Sequence, residues 1–246
     1  MKTAIAIPAH LASMRFPGKI LANLCGKPVI RWVYEIAERA RVADAIYILV
    51  DSEEVETVAR EFCPNVIVTP PECYCGTARI VHALDQIDGD FIINVQGDEP
   101  LLDHRILVAL SERARSSTAN IITPIFKIID ESHMDDPSLV KVAVCHNGLA
   151  LYFSRSPIPF VRGVAKKKWL ENFQFFGHIG VYGYRRAVLE NYNNLHESAL
   201  EAAESLEQLR FLDNGYTIDT VVADAPTIGI DTPANLEEAR LAMRNR

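Results

Sequence analysis

An α/β fold with a mainly parallel, Rossmann-like sheet flanked by helices is what this sequence predicts, and three observations carry the prediction. Short apolar runs such as Thr3–Ala9, Ala45–Val50 and Phe91–Val95 alternate with amphipathic stretches of helical period. Polar turns follow those runs, where open α/β sheets bind ligands. After Lys127 the alternation gives way to apolar runs without regular helices between them, as an inserted, mixed β segment does.

In chain order, MKTAIAIPAH carries one lysine and an apolar run much too short for a signal peptide, broken by Pro8, so it reads as the first strand. The long loop that follows, His10 to Gly26, holds Ser13, Arg15, Pro17, Gly18 and Lys19. Such a loop cradles phosphate with backbone N–H groups, helped by arginine as a fork and lysine as a point charge; a solvated basic loop is the alternative. It has neither GxxxxGK[ST] nor GxGxxG spacing, so a dinucleotide-binding dehydrogenase has no support. Val29–Ala40 is helical by the spacing of Ile30, Val33, Ile36, Ala37 and Ala40. Asp51 and Ser52 end the second strand and start a helix through Glu61; Asn65–Val68 is a third strand, and a Pro-rich connection leads to a helix over Thr77–Ile87. Phe91–Val95 is the fourth strand, Leu102–Arg115 a helix and Asn120–Phe126 a further strand.

The middle section, about 127–185, contains expected strands at Val140–Cys145, Leu149–Phe153 and Phe176–Tyr184, with a hairpin signal at Asn147-Gly148. It reads as a cover for the site or a subunit interface within a single domain, 1–246. Arg185–Tyr192 and Leu200–Asp213 are expected helices, the second stopped by Asn214-Gly215. Tyr216–Ala223 is the last strand, and Thr232 with Pro233 starts a final helix.

The chain has 246 residues and a formal charge of −7, which leaves no basic surplus to neutralise nucleic-acid phosphates. No apolar run reaches the roughly 18 to 20 residues of a membrane helix. Five scattered cysteines, Cys25, Cys63, Cys73, Cys75 and Cys145, fit reduced thiols in a cytoplasm. Cys73 and Cys75 form the only cluster, with Cys63 and His82 as conceivable partners in a zinc site. Lys166 to Lys168 beside Trp169 reads as a solvated loop.

The turn Gln96-Gly97-Asp98-Glu99-Pro100 sets two adjacent carboxylates at a strand end, and Asp231 precedes the last helix. Asp98 and Asp231 lie at the same expected sheet edge, where they can hold one Mg²⁺ and neutralise charge in a phosphoryl transfer. Helix capping by Asp98 and Asp231 is the plainer alternative.

Six stretches in order, IPAHLASMRFPGK (7–19), NVQGDEP (94–100), ALYFSRSPIP (150–159), GHIGVYGYR (177–185), LEQLR (206–210) and IDTPANLE (230–237), resemble the 3-deoxy-manno-octulosonate (Kdo) cytidylyltransferase family. The resemblance implies a nucleotide-diphospho-sugar transferase fold, a homodimer, and the reaction of CTP with Kdo to CMP-Kdo and pyrophosphate for lipopolysaccharide. A modified octulosonate or other sugar acid is the nearer alternative, a non-catalytic sensor the remoter one. By position it assigns Ser13, Arg15 and Lys19 to the CTP phosphates and the backbone near Ala9 to cytosine. Gly76, Thr77 and Arg79 join the nucleotide side, while Lys19, Asp98 and Asp231 are catalytic, with both acids as Mg²⁺ ligands. Gln96, Arg155, His178, Tyr182, Glu207 and Gln208 line the sugar pocket, with Arg155 facing the sugar's carboxylate. An ion pair for Arg155, core packing for His178 and Tyr182, and a polar helix face for Glu207 and Gln208 are the alternatives. The chain departs from the family pattern at His10, where an arginine is usual, and at Cys75 and Ala78, where a serine and an acid are usual.

Overall fold

The computed structural model describes residues 1–13, 15–73 and 75–244. The first half runs β1 (Thr3–Ala9), a hairpin β2 (Asn23–Leu24) and β3 (Lys27–Pro28), α1 (Val29–Ala40), β4 (Ala45–Val50), α2 (Glu53–Arg60), β5 (Val66–Val68), α3 (Gly76–His82), β6 (Phe91–Asn94) and α4 (His104–Ser116). The second half runs β7 (Ile121–Lys127), α5 (Ser132–Asp135), β8 (Lys141–Val144), β9 (Ala150–Ser154), α6 (Trp169–Asn172), β10 (Phe176–His178) and β11 (Tyr182–Arg185). It ends with α7 (Arg186–Glu190), α8 (Ala199–Glu204), α9 (Gln208–Asp213), β12 (Ile218–Ala223) and α10 (Pro233–Arg244).

Among the described residues ten strands form one sheet in the order β5-β4-β1-β6-β11-β7-β10-β8-β9, with β12 added on β7. The β5-β4-β1-β6 part is parallel, whereas β11, β10, β8 and β9 pair antiparallel. All of β1 is buried because both sheet faces are covered. Ile5, Ile7 and Ala9 join the cluster beneath α1, α2 and α4; Ala4 and Ala6 join the one containing Ile80 of α3 and Phe211 of α9. Truncating Ile7 to Ala would cost about 2–5 kcal/mol. Since α1 and α2 lie on one face and α3 on the other, the strand order reverses between β1 and β6. A crevice therefore opens there at the carboxyl ends of the strands.

Three expected elements differ in the structure. Phe176–Tyr184 is two strands, not one. Ile179 N–H donates to the carbonyl of Pro124 at 3.0 Å, so that edge of β7 faces β10 and β11. Proline offers no N–H there, and the chain opposite breaks at Ile179 to Val181. Leu200–Asp213 is also split, because Ser205 adopts a left-handed φ of 52° between α8 and α9. The expected Thr77–Ile87 helix ends at His82 and resumes as a short 3₁₀ turn at Leu84–Gln86. The residue capping α4 is Asp103, whose carboxylate accepts the Arg105 N–H at 2.9 Å, rather than Asp98.

Candidate active site

The turn after β6 lies flat on the end of β1. Gly97 N–H donates to the Pro8 carbonyl at 3.1 Å, and a Cβ on Gly97 would stand 2.7 Å from that oxygen, so only glycine allows the approach. The adjacent Asp98 carbonyl accepts the Ile230 N–H at 2.8 Å. Leu236 and Ala239 of α10 pack with Leu24, Val29, Leu101 and Ile230. Thr232 and Asn235 start α10 with reciprocal side-chain-to-backbone bonds of 3.1 and 3.2 Å. Together these contacts hold Asp231 against Asp98.

The two acids meet at Lys19, which is only 4% exposed. Its ammonium donates to Asp98 Oδ2 and, at 2.9 Å, to Asp231 Oδ1. Burial lowers the Lys19 pKa, but the charge and hydrogen bonds of Asp98 and Asp231 outweigh it and raise the value above the ordinary one. Burial likewise opposes ionisation of Asp231, yet Lys19 and then Arg15 hold its pKa below the usual carboxylate range. Arg15 Nη2 lies 3.0 Å from Asp231 Oδ2. Ser13 and Gly18 both donate backbone N–H groups to the Leu11 carbonyl at 3.0 Å, closing the loop on itself. Glu99 is half-buried beneath, with its buried Oε2 unpartnered among the described residues; burial and then the charge of Asp98 push its pKa up to about 7.

This donor set fits Mg²⁺. Both acids are oxygen donors that already share one cation, and Mg²⁺ is bound by one or two carboxylates plus substrate phosphates. Among the described residues no three His, Cys, Asp or Glu side chains form a metal cluster, so Cys63, Cys73, Cys75 and His82 do not assemble a zinc site. Tyr74, within the cysteine cluster, lies outside the described residues.

Beside the charge cluster is a cavity of about 310 Å³, lined by His10, Asp51, Cys75, Gly76, Arg79 and Gln96 among others. A Cβ on Gly76 would stand 3.0 Å from the Gln96 amide, which donates to Asn94 Oδ1 at 3.2 Å. Ala9 is fully buried at the end of β1. Arg79 is buried as well: Nη2 pairs with Asp51 Oδ2 at 3.2 Å, and Nη1 bonds the Thr69 hydroxyl. Asp51 in turn accepts the Leu11 N–H at 3.0 Å. Alanine at position 78 therefore does not leave Arg79 without an acid. Thr77 turns away from the cavity; its hydroxyl donates to Glu207 Oε2 at 3.0 Å.

Of the expected sugar residues, Tyr182 and Gln208 are buried, and Gln96, Arg155, His178 and Glu207 are half-buried. His178 Nε2 is 2.9 Å from Thr123 Oγ1, and that hydroxyl donates its one proton to the Val181 carbonyl at 2.7 Å. The histidine is thus the donor to Thr123, with Nδ1 left as acceptor. Burial pushes its pKa down to about 3, so it is neutral. Tyr182 packs between His178 and Tyr184, at centroid distances of 5.2 and 5.7 Å. Glu207 accepts from Tyr192 Oη at 2.7 Å and Cys75 Sγ at 3.2 Å in addition to Thr77. Gln208 is 4% exposed and its Nε2 has no partner among the described residues. Arg155 donates to the carbonyls of Glu204 (2.7 Å), Pro137 (2.8 Å) and Ser205 (3.3 Å). Tyr192, Tyr184 and Thr123 are parts of this network that sequence reasoning missed; each reads locally as ordinary strand or helix-end packing.

A protein-family profile described as Cytidylyltransferase matches residues 4–218. A 3-deoxy-manno-octulosonate cytidylyltransferase of Bacteroides thetaiotaomicron is 42% identical over 255 residues, covering 100% of both chains. One of Escherichia coli is 40% identical over 242 residues, covering 98% of this chain and 96% of its own. Among solved structures, CMP:2-keto-3-deoxy-manno-octonic acid synthetase complexed with CTP superposes with a TM-score of 0.93 at 39% identity, over 100% of this chain and 99% of that one. The sheet crevice, the paired aspartates and this full-length similarity make the chain a member of the 3-deoxy-manno-octulosonate cytidylyltransferase family.

Proposed function

We propose that this chain couples CTP to 3-deoxy-manno-octulosonate, giving CMP-3-deoxy-manno-octulosonate and pyrophosphate for lipopolysaccharide synthesis, with Mg²⁺ held by Asp98 and Asp231. The observation that carries the reading is the meeting of these two acids on one cation, Lys19, at the crevice between β1 and β6. A bound Mg²⁺ would supply charge neutralisation to the transferring phosphate.

The chain's own residues supply position and screening. Lys19 and Arg15, now paired with the acids, are the cations that meet the triphosphate, and the cavity beside them takes the nucleoside. Arg155 has no carboxylate on its guanidinium among the described residues, which leaves its charge for a sugar carboxylate. His178 Nδ1 and Gln208 offer a neutral acceptor and an unused donor to hydroxyls. The sugar's 2-hydroxyl oxygen attacks the α-phosphorus as the bond to pyrophosphate breaks. Bringing two anions together and screening their repulsion lowers most of the barrier.

No helix among the described residues is long and apolar enough to cross a membrane. CTP as co-substrate supports a reaction in the cytoplasm. Ile129, Leu151, Phe160 and Phe173 are exposed apolar side chains of the middle section, and they support a homodimer through that section.

The test is to supply the protein with CTP, Mg²⁺ and 3-deoxy-manno-octulosonate, and to measure pyrophosphate and the nucleotide product. CMP joined to the sugar acid is expected. A panel of related acids turned over faster would reassign the substrate, and CTP binding without any turnover would refute the catalytic reading.

A further inference from the structure

Glu207 is the acid that the sequence assigns to the sugar pocket, and the donors to its carboxylate come from outside its own helix. Its Oε1 accepts from Tyr192 Oη at 2.7 Å and from Cys75 Sγ at 3.2 Å, while Oε2 accepts from Thr77 Oγ1 at 3.0 Å. Two of those donors sit at the start of α3, where Gly76 forms part of the nucleotide cavity. The third follows α7 and is 3% exposed, its ring 5.9 Å from that of Phe211 in α9. Cys75 is suited to donate, since burial and then the nearby Glu207 charge push its pKa up to about 12. Its sulfur also caps α3 by accepting the Ala78 N–H at 3.3 Å. Next to Glu207 in the chain is Gln208, buried with its Nε2 unpartnered among the described residues.

We propose that Tyr192 and Cys75 are positioning residues of the sugar half-site: they clamp the Glu207 carboxylate to the start of α3 and so hold Gln208 ready for the sugar acid. The clamp rests on the function proposed above. It has a mechanical consequence. Ser205 breaks the helix just before Glu207, so no continuous backbone ladder from α8 orients this segment. The three side-chain donors supply the orientation instead, and they tie the sugar half-site to the helix that borders the nucleotide.

The experiment is steady-state kinetics with each substrate varied against saturating partner, on wild type, Tyr192→Phe, Cys75→Ala and Cys75→Ser, with thermal unfolding of each. In Tyr192→Phe the KM for the sugar acid should rise on the order of 10-fold, while the KM for CTP shifts by less than about 3-fold. Cys75→Ala should raise the sugar KM similarly. Cys75→Ser, whose hydroxyl can both donate to Glu207 and accept from Ala78, should recover most of that loss. A sugar KM within about 2-fold of wild type in Tyr192→Phe, or an equal rise in both constants, overturns the clamp. Should Tyr192→Phe not fold, the cysteine pair decides: serine and alanine behaving alike overturns it. Absence of turnover in the wild type would instead overturn the functional reading from which the clamp follows.

Discussion

Lys19 and Glu207 are each the hub of one half of the site, and their partners are of opposite kinds. Lys19 is held by two carboxylates, and Arg15 joins the same cluster from a largely exposed position. Glu207 is held by hydroxyl and thiol donors, among aromatic rings and a neutral histidine. The partly exposed Arg15–Asp231 pair can be exchanged for other ions at modest cost, because solvent screens what is lost, whereas the buried Lys19 must always face an anion, be it a carboxylate or a phosphate. Glu207 is half-buried and its three donors are neutral, so no free ion can take their place, and leaving the carboxylate unsatisfied carries a desolvation cost. On the function proposed above, the charged half would trade its ion pairs for phosphates and a metal, and the neutral half would keep its hydrogen bonds.

The charged half should fail most completely at Asp98. Asp98→Asn removes one of the two acids while keeping its shape, and pyrophosphate release should fall by about 10³-fold or more. The protein should still unfold within a few degrees of wild type, and near-normal release would remove the aspartate pair from the chemistry. Next is Gln208→Ala, which deletes a buried donor waiting for a ligand. The KM for the sugar acid should rise roughly 10- to 100-fold, with the CTP KM little altered; a selective effect on CTP would exchange the two half-sites.

The rigid half should also show itself in acid. His178 has a folded-state pKa of about 3 against an ordinary 6.5, so between those values the unfolded chain binds a proton that the folded chain does not. Stability from this group is complete above about pH 6.5 and falls as pH drops, by at most about 1.4 kcal/mol per pH unit, until about pH 3. Urea unfolding of His178→Asn across pH 4 to 7 should show a flatter dependence; an unchanged slope would mean that the histidine is not buried neutral. The smallest expected effect belongs to Arg15→Gln. Its partly exposed pair with Asp231 contributes less than about 1 kcal/mol to stability, so unfolding should scarcely change. The KM for CTP should rise on the order of 10-fold and become less sensitive to salt.

The two halves differed as much in legibility. The charged half could be read along the chain: Lys19 beside Gly18, Asp98 after an apolar strand, and Asp231 before a Thr-Pro helix start are local signals. The neutral half could not. Gln208 and Glu207 were expected on one continuous helix, and the left-handed Ser205 that turns them inward carries no glycine or proline signal. The break at Ile179 to Val181 had a readable cause in Pro124, but that residue lies some fifty positions away, on a strand whose pairing only the fold defines. Asp51 as the partner of Arg79 and Tyr192 as the partner of Glu207 are contacts of the same kind, with nothing beside them in sequence to announce them.

By itself, the sequence determined the order of strands and helices in the parallel half, the family to which the chain belongs, and the identity of the acids and cations at the crevice. Those follow from side-chain period, turn chemistry and charge, which act between near neighbours. Only the tertiary structure decided which groups spend their hydrogen bonds on protein and which, like Gln208 Nε2, keep one in reserve. That accounting depends on burial, and burial is a property of how distant segments pack.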